Sequence, residues 1–127
     1  KCLKLNASNY ANEKTLNLLN NLGLLQFKNQ PIKYLSKGQQ ARVSFAKTIA
    51  QNADIYIFDE PTANLDSENA NKMLEEIKRL SLDCLVIIAA HDEERYTEFA
   101  SRIIELNKGL INNDLVIKSN DKLIHKT

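Results

Sequence analysis

The chain has 127 residues, 43% of them hydrophobic and 26% charged, with a formal net charge of +1, which suits one α/β unit. So even a balance of charge gives no reason to expect nucleic acid as a partner and contains no like-charge block for a lipid surface. The longest clean apolar run, Cys84 to Ala90, is far below the ~20 residues that cross a bilayer, so neither a transmembrane segment nor a signal peptide is expected.

Glu13 to Leu22 reads as a helix with Leu16, Leu19 and Leu22 on one side, and Gly23 punctuates its end. Phe27, Pro31 and Tyr34 then belong to a loop. Ser36 followed three residues later by Gln39 is a capping box, and Val43, Ala46, Ile49 and Ala50 mark the apolar stripe of the helix it starts. Gly38 in the first turn lets another group approach the backbone, and a helix start with free N–H groups and a positive dipole end suits an anion.

Ile55, Tyr56, Ile57 and Phe58 form a short continuous apolar run, the pattern of a parallel strand buried on both faces. It delivers Asp59 and Glu60 at its carboxyl end, the edge where open α/β sheets bind ligands, and Pro61 stops the strand. Taken alone, this carboxylate pair fits a hydrophilic turn as well as a metal contact and a base. Asp66 is a good N-cap for a helix from Ser67 to Leu80, whose apolar side is Met73, Leu74, Ile77 and Leu80. Leu85 to Ala90 is a second buried strand run that delivers His91 at its end. A short helix from Glu93 to Ala100 and a hairpin from Arg102 to Ile111, turning at Asn107 to Gly109, follow. After Asn112 the chain is polar with weak alternation, a last strand or a linker. His125 in that tail has no context that assigns it a role. Cys2 and Cys84 lack metal-type spacing and fit a reduced compartment.

Three segments, LSKGQQARV (Leu35 to Val43), DIYIFDEPTANLD (Asp54 to Asp66) and IIAAHDEE (Ile87 to Glu94), resemble in order and spacing three landmarks of the ABC transporter ATP-binding domain. These are the signature motif, the Walker B motif with its D-loop, and the switch histidine. The resemblance implies an α/β fold: part of a P-loop NTPase of ABC type, with a mostly parallel sheet flanked by helices and part of the helical subdomain. Residues 1–50 would carry the end of that subdomain with the signature helix, 51–111 the Walker B, D-loop and histidine part of the core, and 112–127 the final strand or linker.

The same resemblance assigns roles. Ser36, Gly38 and Gln39 would contact the γ-phosphate of an ATP held mainly by a second ATP-binding domain. Lys37 stands where the family usually has a glycine; its ammonium can attract phosphate as a point charge, and its length can crowd the close approach. Asp59 would hold Mg²⁺ through water, Glu60 would polarise the attacking water, and His91 would contact the γ-phosphate. Asn64 and Asp66 would lie in the D-loop along the dimer interface. The cofactors implied are ATP and Mg²⁺. The partners implied are a second ATP-binding domain and a transmembrane permease at the cytoplasmic face of the membrane. The PTANLD wording resembles the branch of lipoprotein-releasing and antimicrobial-peptide or macrolide exporters.

No GxxxxGK motif followed by serine or threonine occurs, and the glycines are only Gly23, Gly38 and Gly109. The chain therefore resembles the carboxyl half of one domain and is not expected to hydrolyse ATP alone. By resemblance, the phosphate-loop strand lies inside the sheet between the histidine strand and Ile103 to Leu106, so the isolated chain is expected to be marginal or to associate. Two other readings are a soluble relative acting on ribosomes or DNA, and a non-catalytic regulatory or dimerisation module. Intact Glu60 and His91 speak against the second.

Overall fold

A computed structural model of the chain describes residues 9–91 and 94–117. Asp92, part of the final segment, His125 and Cys2 lie outside the described residues, as does Glu93, the expected first residue of the short helix. The chain divides into two compact units, Lys1–Ala90 and His91–Thr127.

In the first unit, α1 (Asn9–Asn21) begins four residues before the expected start. Its end is set by Gly23, whose φ of +65° is available to glycine without penalty. The N–H of Leu24 reaches the carbonyl of Leu19 at 2.7 Å, and that of Gly23 reaches Asn20 at 2.9 Å, which is a Schellman close. Leu19 and Leu24 are both buried beside it. Two single 3-10 turns, Leu25–Phe27 and Ile32–Tyr34, carry the chain to Leu35. Helix α2 (Lys37–Ile49) starts at Ser36 with both halves of the capping box made.

Strand β1 (Ile55–Asp59) pairs in parallel with β2 (Leu85–Ala89), with Ile55 opposite Leu85 and Asp59 opposite Ala89. Between them α3 (Ser67–Leu80) spans the residues that the amphipathic pattern predicts. Met73 and Ile77 on its apolar side are fully buried.

One expectation for this sheet is corrected. Side chains alternate across a strand, and only Tyr56 and Phe58 of β1 are buried. Phe58 packs on Phe45 of α2 with ring centroids 5.1 Å apart, and the Tyr56 hydroxyl donates to the Ile49 carbonyl at 3.1 Å. On the opposite face Ile57 is 72% exposed, next to exposed Ile55, Leu85 and Ile87. The apolar run is continuous, yet within this chain β1 is covered on one face only, the face on which Phe58 meets Phe45 and Tyr56 meets Ile49. An uncovered row of four large aliphatic side chains on a two-stranded sheet is a ready surface for association. The isolated chain is accordingly expected to self-associate, with an apparent mass by light scattering that rises with concentration. A concentration-independent monomer with a sharp thermal transition would contradict this.

In the second unit, α4 (Glu94–Thr97) is a single turn, shorter than the helix expected to Ala100. The chain bends there through the N–H groups of Phe99 and Ala100, which both reach the Tyr96 carbonyl, before entering the hairpin. Strands β3 (Arg102–Asn107) and β4 (Leu110–Val116) are antiparallel. Lys108 and Gly109 both have positive φ, +49° and +79°, as a two-residue type I′ turn requires. The turn is at the predicted place, and β4 continues past Ile111, held by the bidentate pair of Arg102 with Asp114 at 2.8 and 2.6 Å. Among the described residues β3 pairs only with β4, and no helix is long and apolar enough to cross a membrane.

Candidate functional site

The signature segment is built around one helix start. Ser36 Oγ accepts the N–H of Gln39 at 3.2 Å, and Gln39 Oε1 accepts the N–H of Ser36 at 2.8 Å. The box satisfies two of the four N–H groups that a helix start leaves over and leaves those of Lys37 and Gly38. It also uses the serine oxygen and the amide oxygen only as acceptors, so the Ser36 hydroxyl proton and the Gln39 amide N–H groups remain able to donate. Ser36 and Lys37 are exposed, and Lys37 occupies the first helical position. The result is a cluster of donors with one cation beside it, which is chemistry for an anion.

The carboxylate segment follows β1 directly. Asp59 is the last residue of the strand and is exposed; Glu60 is half-buried. Glu60 has φ +46°, a left-handed conformation that costs a residue with a Cβ roughly 1–2 kcal/mol. It is retained because the turn is pinned on both sides: the Glu60 N–H reaches the Ala89 carbonyl of β2 at 2.9 Å, and the Ala63 N–H reaches the Glu60 carbonyl at 3.0 Å. Thus the sheet itself holds Glu60 in a strained geometry, a pattern that clusters at functional sites. Asn64 is exposed with φ +61°, a conformation asparagine accepts more readily than most residues.

Asp66 caps α3. Its carboxylate accepts the Asn69 N–H at 3.0 Å and the Asn69 Nδ2 at 2.6 Å. These bonds from the backbone and side chain of Asn69, in that order of weight, hold its pKa below the usual 3.8. A carboxylate lowered on folding contributes stability that is complete above its unfolded pKa and is lost as pH falls through the lower folded value. Asp66→Ala should therefore melt below the parent at neutral pH, and the gap should close as pH drops below about 3.8; thermal melts across pH check this. A gap that stays constant into acid would remove the carboxylate from the cap.

The signature start and the D-loop meet within this unit. A Cβ added at Gly38 would lie 3.3 Å from Leu65 Cδ2, a tight approach that Leu65 would have to yield to by a few tenths of an ångström. Arg42, one turn into α2, is buried. It donates from Nη1 to the Leu22 carbonyl at 2.8 Å and to Asn69 Oδ1, and from Nε to the Gly38 carbonyl at 3.3 Å. Burial lowers its pKa, opposed by the charges of Asp66 and Glu68. Arg42 and Leu65 lie inside the quoted segments with no role assigned to them there, and Asn69 lies outside them. An arginine at position 42 on the same stripe as Ala46 and Ile49 was the one available signal, since a charge on an apolar face must find partners.

His91 is exposed and opens the second unit, two residues after β2 ends. Among the described residues there is no cluster of three or more metal-ligating side chains. Asp59 nevertheless suits Mg²⁺, which keeps much of its water and needs only one or two protein carboxylates beside substrate phosphates. The donor set at α2 suits the phosphates themselves.

Comparison with known proteins agrees with these features. A family model described as ABC transporter matches residues 3–63. The arginine transport ATP-binding protein ArtM of Bacillus subtilis is 36% identical over 105 residues, 82% of this chain and 44% of that protein. The phosphonates import ATP-binding protein PhnC of Treponema denticola is 34% identical over 117 residues, 90% of this chain and 46% of that protein. The dimeric ATP-binding cassette MJ0796, solved in a post-hydrolysis state with ADP and Pi, superposes with a TM-score of 0.73 at 30% identity; the alignment covers 91% of this chain and 51% of that one. The chain thus spans less than half the length of these two curated relatives and about half of the solved cassette.

Proposed function

We propose that this chain, whose residues 3–63 match the ABC transporter family model, supplies the signature, Walker B, D-loop and switch-histidine parts of an ATP-binding cassette that hydrolyses MgATP as a dimer to drive transport. The observation that carries the proposal is the pairing, in one unit, of an anion-ready helix start at Ser36–Gln39 with a strand that ends in Asp59 and a strained, sheet-pinned Glu60.

The division of labour follows from phosphoryl-transfer chemistry, in which positioning and electrostatic stabilisation supply most of the rate. Asp59 would hold Mg²⁺, and the ion would supply charge neutralisation on the phosphates. Glu60 accepts the proton of the attacking water. Ser36, Lys37, Gly38 and Gln39 donate to the γ-phosphate of ATP bound on the partner cassette, and Asn64 and Asp66 carry the D-loop to the same interface. His91 contacts the γ-phosphate and holds the water. A permease at the cytoplasmic face of a membrane completes the assembly.

The direct test is the oligomeric state of the intact cassette in MgATP and in MgADP. ATP should shift it to dimer, and His91→Ala should lower kcat by about 10²–10³ as one transition-state contact is lost. No ATP-dependent dimer would overturn the reading, and a loss well below tenfold would leave His91 a structural role.

A further inference from the structure

We propose that Arg42 and Asn69 are positioning residues that lock the first turn of the signature helix to the D-loop, so that both reach the partner's nucleotide as one preformed surface. This rests on the functional reading above and goes beyond it by naming what couples the two segments.

One guanidinium ties three elements. It holds the Leu22 carbonyl after α1, the Gly38 carbonyl in the first turn of α2, and the Asn69 side chain in the first turn of α3. Asn69 passes the link on, donating to Asp66 from both its Nδ2 and its backbone N–H. Leu65 of the D-loop closes against Gly38 on the same side. The bonds thus run without a gap from Gly38 to Asp66, across segments 28 residues apart in sequence.

Simple packing does not account for this choice of residue. Arg42 is 6% exposed, and a charge so placed is no better for stability than a well-packed apolar side chain of the same volume. What arginine adds is direction: a planar fork whose donors point along fixed lines, which lysine cannot copy. Asp66 and Glu68 lie close enough to stabilise the cation. Two segments held this way need no ordering when the dimer closes, whereas loose ones would have to be ordered at that moment.

The experiment uses the intact cassette with Asn69→Ala, Arg42→Lys and, as reference, Ser36→Arg. Expected is a fall in kcat and in ATP-driven dimerisation of about 10–10²-fold, the scale of a small misplacement at a reacting centre. ATP affinity of the monomer and KM should stay within about twofold. Ser36→Ala and Asn64→Ala should be non-additive in the parent and become additive in Asn69→Ala, which a merely stabilising role would not produce. Parent-like kcat in both variants, with Ser36→Arg still blocking dimers, would overturn the coupling and leave the functional reading standing. So would losses that follow the melting temperature with additivity unchanged. Dimers that persist in Ser36→Arg would sink the functional reading first, and this proposal with it.

Discussion

Glu60→Gln in the intact cassette is expected to abolish steady-state ATP hydrolysis while leaving ATP affinity close to that of the parent. Glutamine keeps the size and hydrogen-bonding reach of the side chain but cannot take a proton from water. The loss of a general base costs about 10²–10⁴ in rate, roughly 3–5 kcal/mol of barrier. Fold stability should hardly change, because the strain at this position resides in the backbone. With φ at +46° and the N–H bonded to Ala89, glutamine meets the same penalty as glutamate. The variant should also accumulate as ATP-bound dimer, since the phosphate contacts remain while turnover stops. Phosphate release and sizing chromatography read the two effects separately. Hydrolysis within tenfold of the parent would take Glu60 out of the role of base.

Ser36→Arg should abolish ATP-driven dimerisation and spare nucleotide binding by the monomer. Two effects combine at this position. The cap is lost, at about 0.5–2 kcal/mol of local helix stability, because arginine has no oxygen to accept the Gln39 N–H. A long side chain would also stand where, on the proposed reading, the donors of Lys37 and Gly38 meet a phosphate. Ser36→Asp separates the contributions: it keeps a capping oxygen but places a negative charge toward the same phosphate, so it should hold helix stability and still fail to dimerise. Analytical ultracentrifugation with and without MgATP decides it. Dimers in both variants would mean that the helix start does not meet the nucleotide.

Local rules carried far in this chain. Ser36 and Gln39 form the box that their spacing announces, and Asp66 caps α3 over the residues its apolar period marks out. Gly23 and the Lys108–Gly109 turn end or reverse the chain where their backbone freedom allows. Each depends on groups within a few residues of one another, so the pattern and its cause lie together in the sequence. The limits of α1, α4 and β4 moved because element ends depend on what the chain meets next, as with the turn at Tyr96 that feeds β3. The likeness to ABC transporter ATP-binding proteins, too, was legible, because the three segments that carry it are short, ordered and local.

What required the folded chain was every relation between distant segments. An apolar run such as Ile55 to Phe58 says that both faces of a strand would be stable when buried; only the packing shows one face against Phe45 and the other exposed at Ile57. The left-handed turn at Glu60 is pinned by a bond to Ala89, and Gly38 lies close to Leu65 of a segment far away in the chain. The path from Gly38 through Arg42 and Asn69 to Asp66 exists only because folding brings the starts of α2 and α3 within hydrogen-bond reach. The sequence by itself determined which groups are present and how each short segment folds, since those choices rest on nearest-neighbour sterics and hydrogen bonds. Tertiary structure decided which of them touch, because burial and hydrogen-bond satisfaction are settled among residues far apart in the chain.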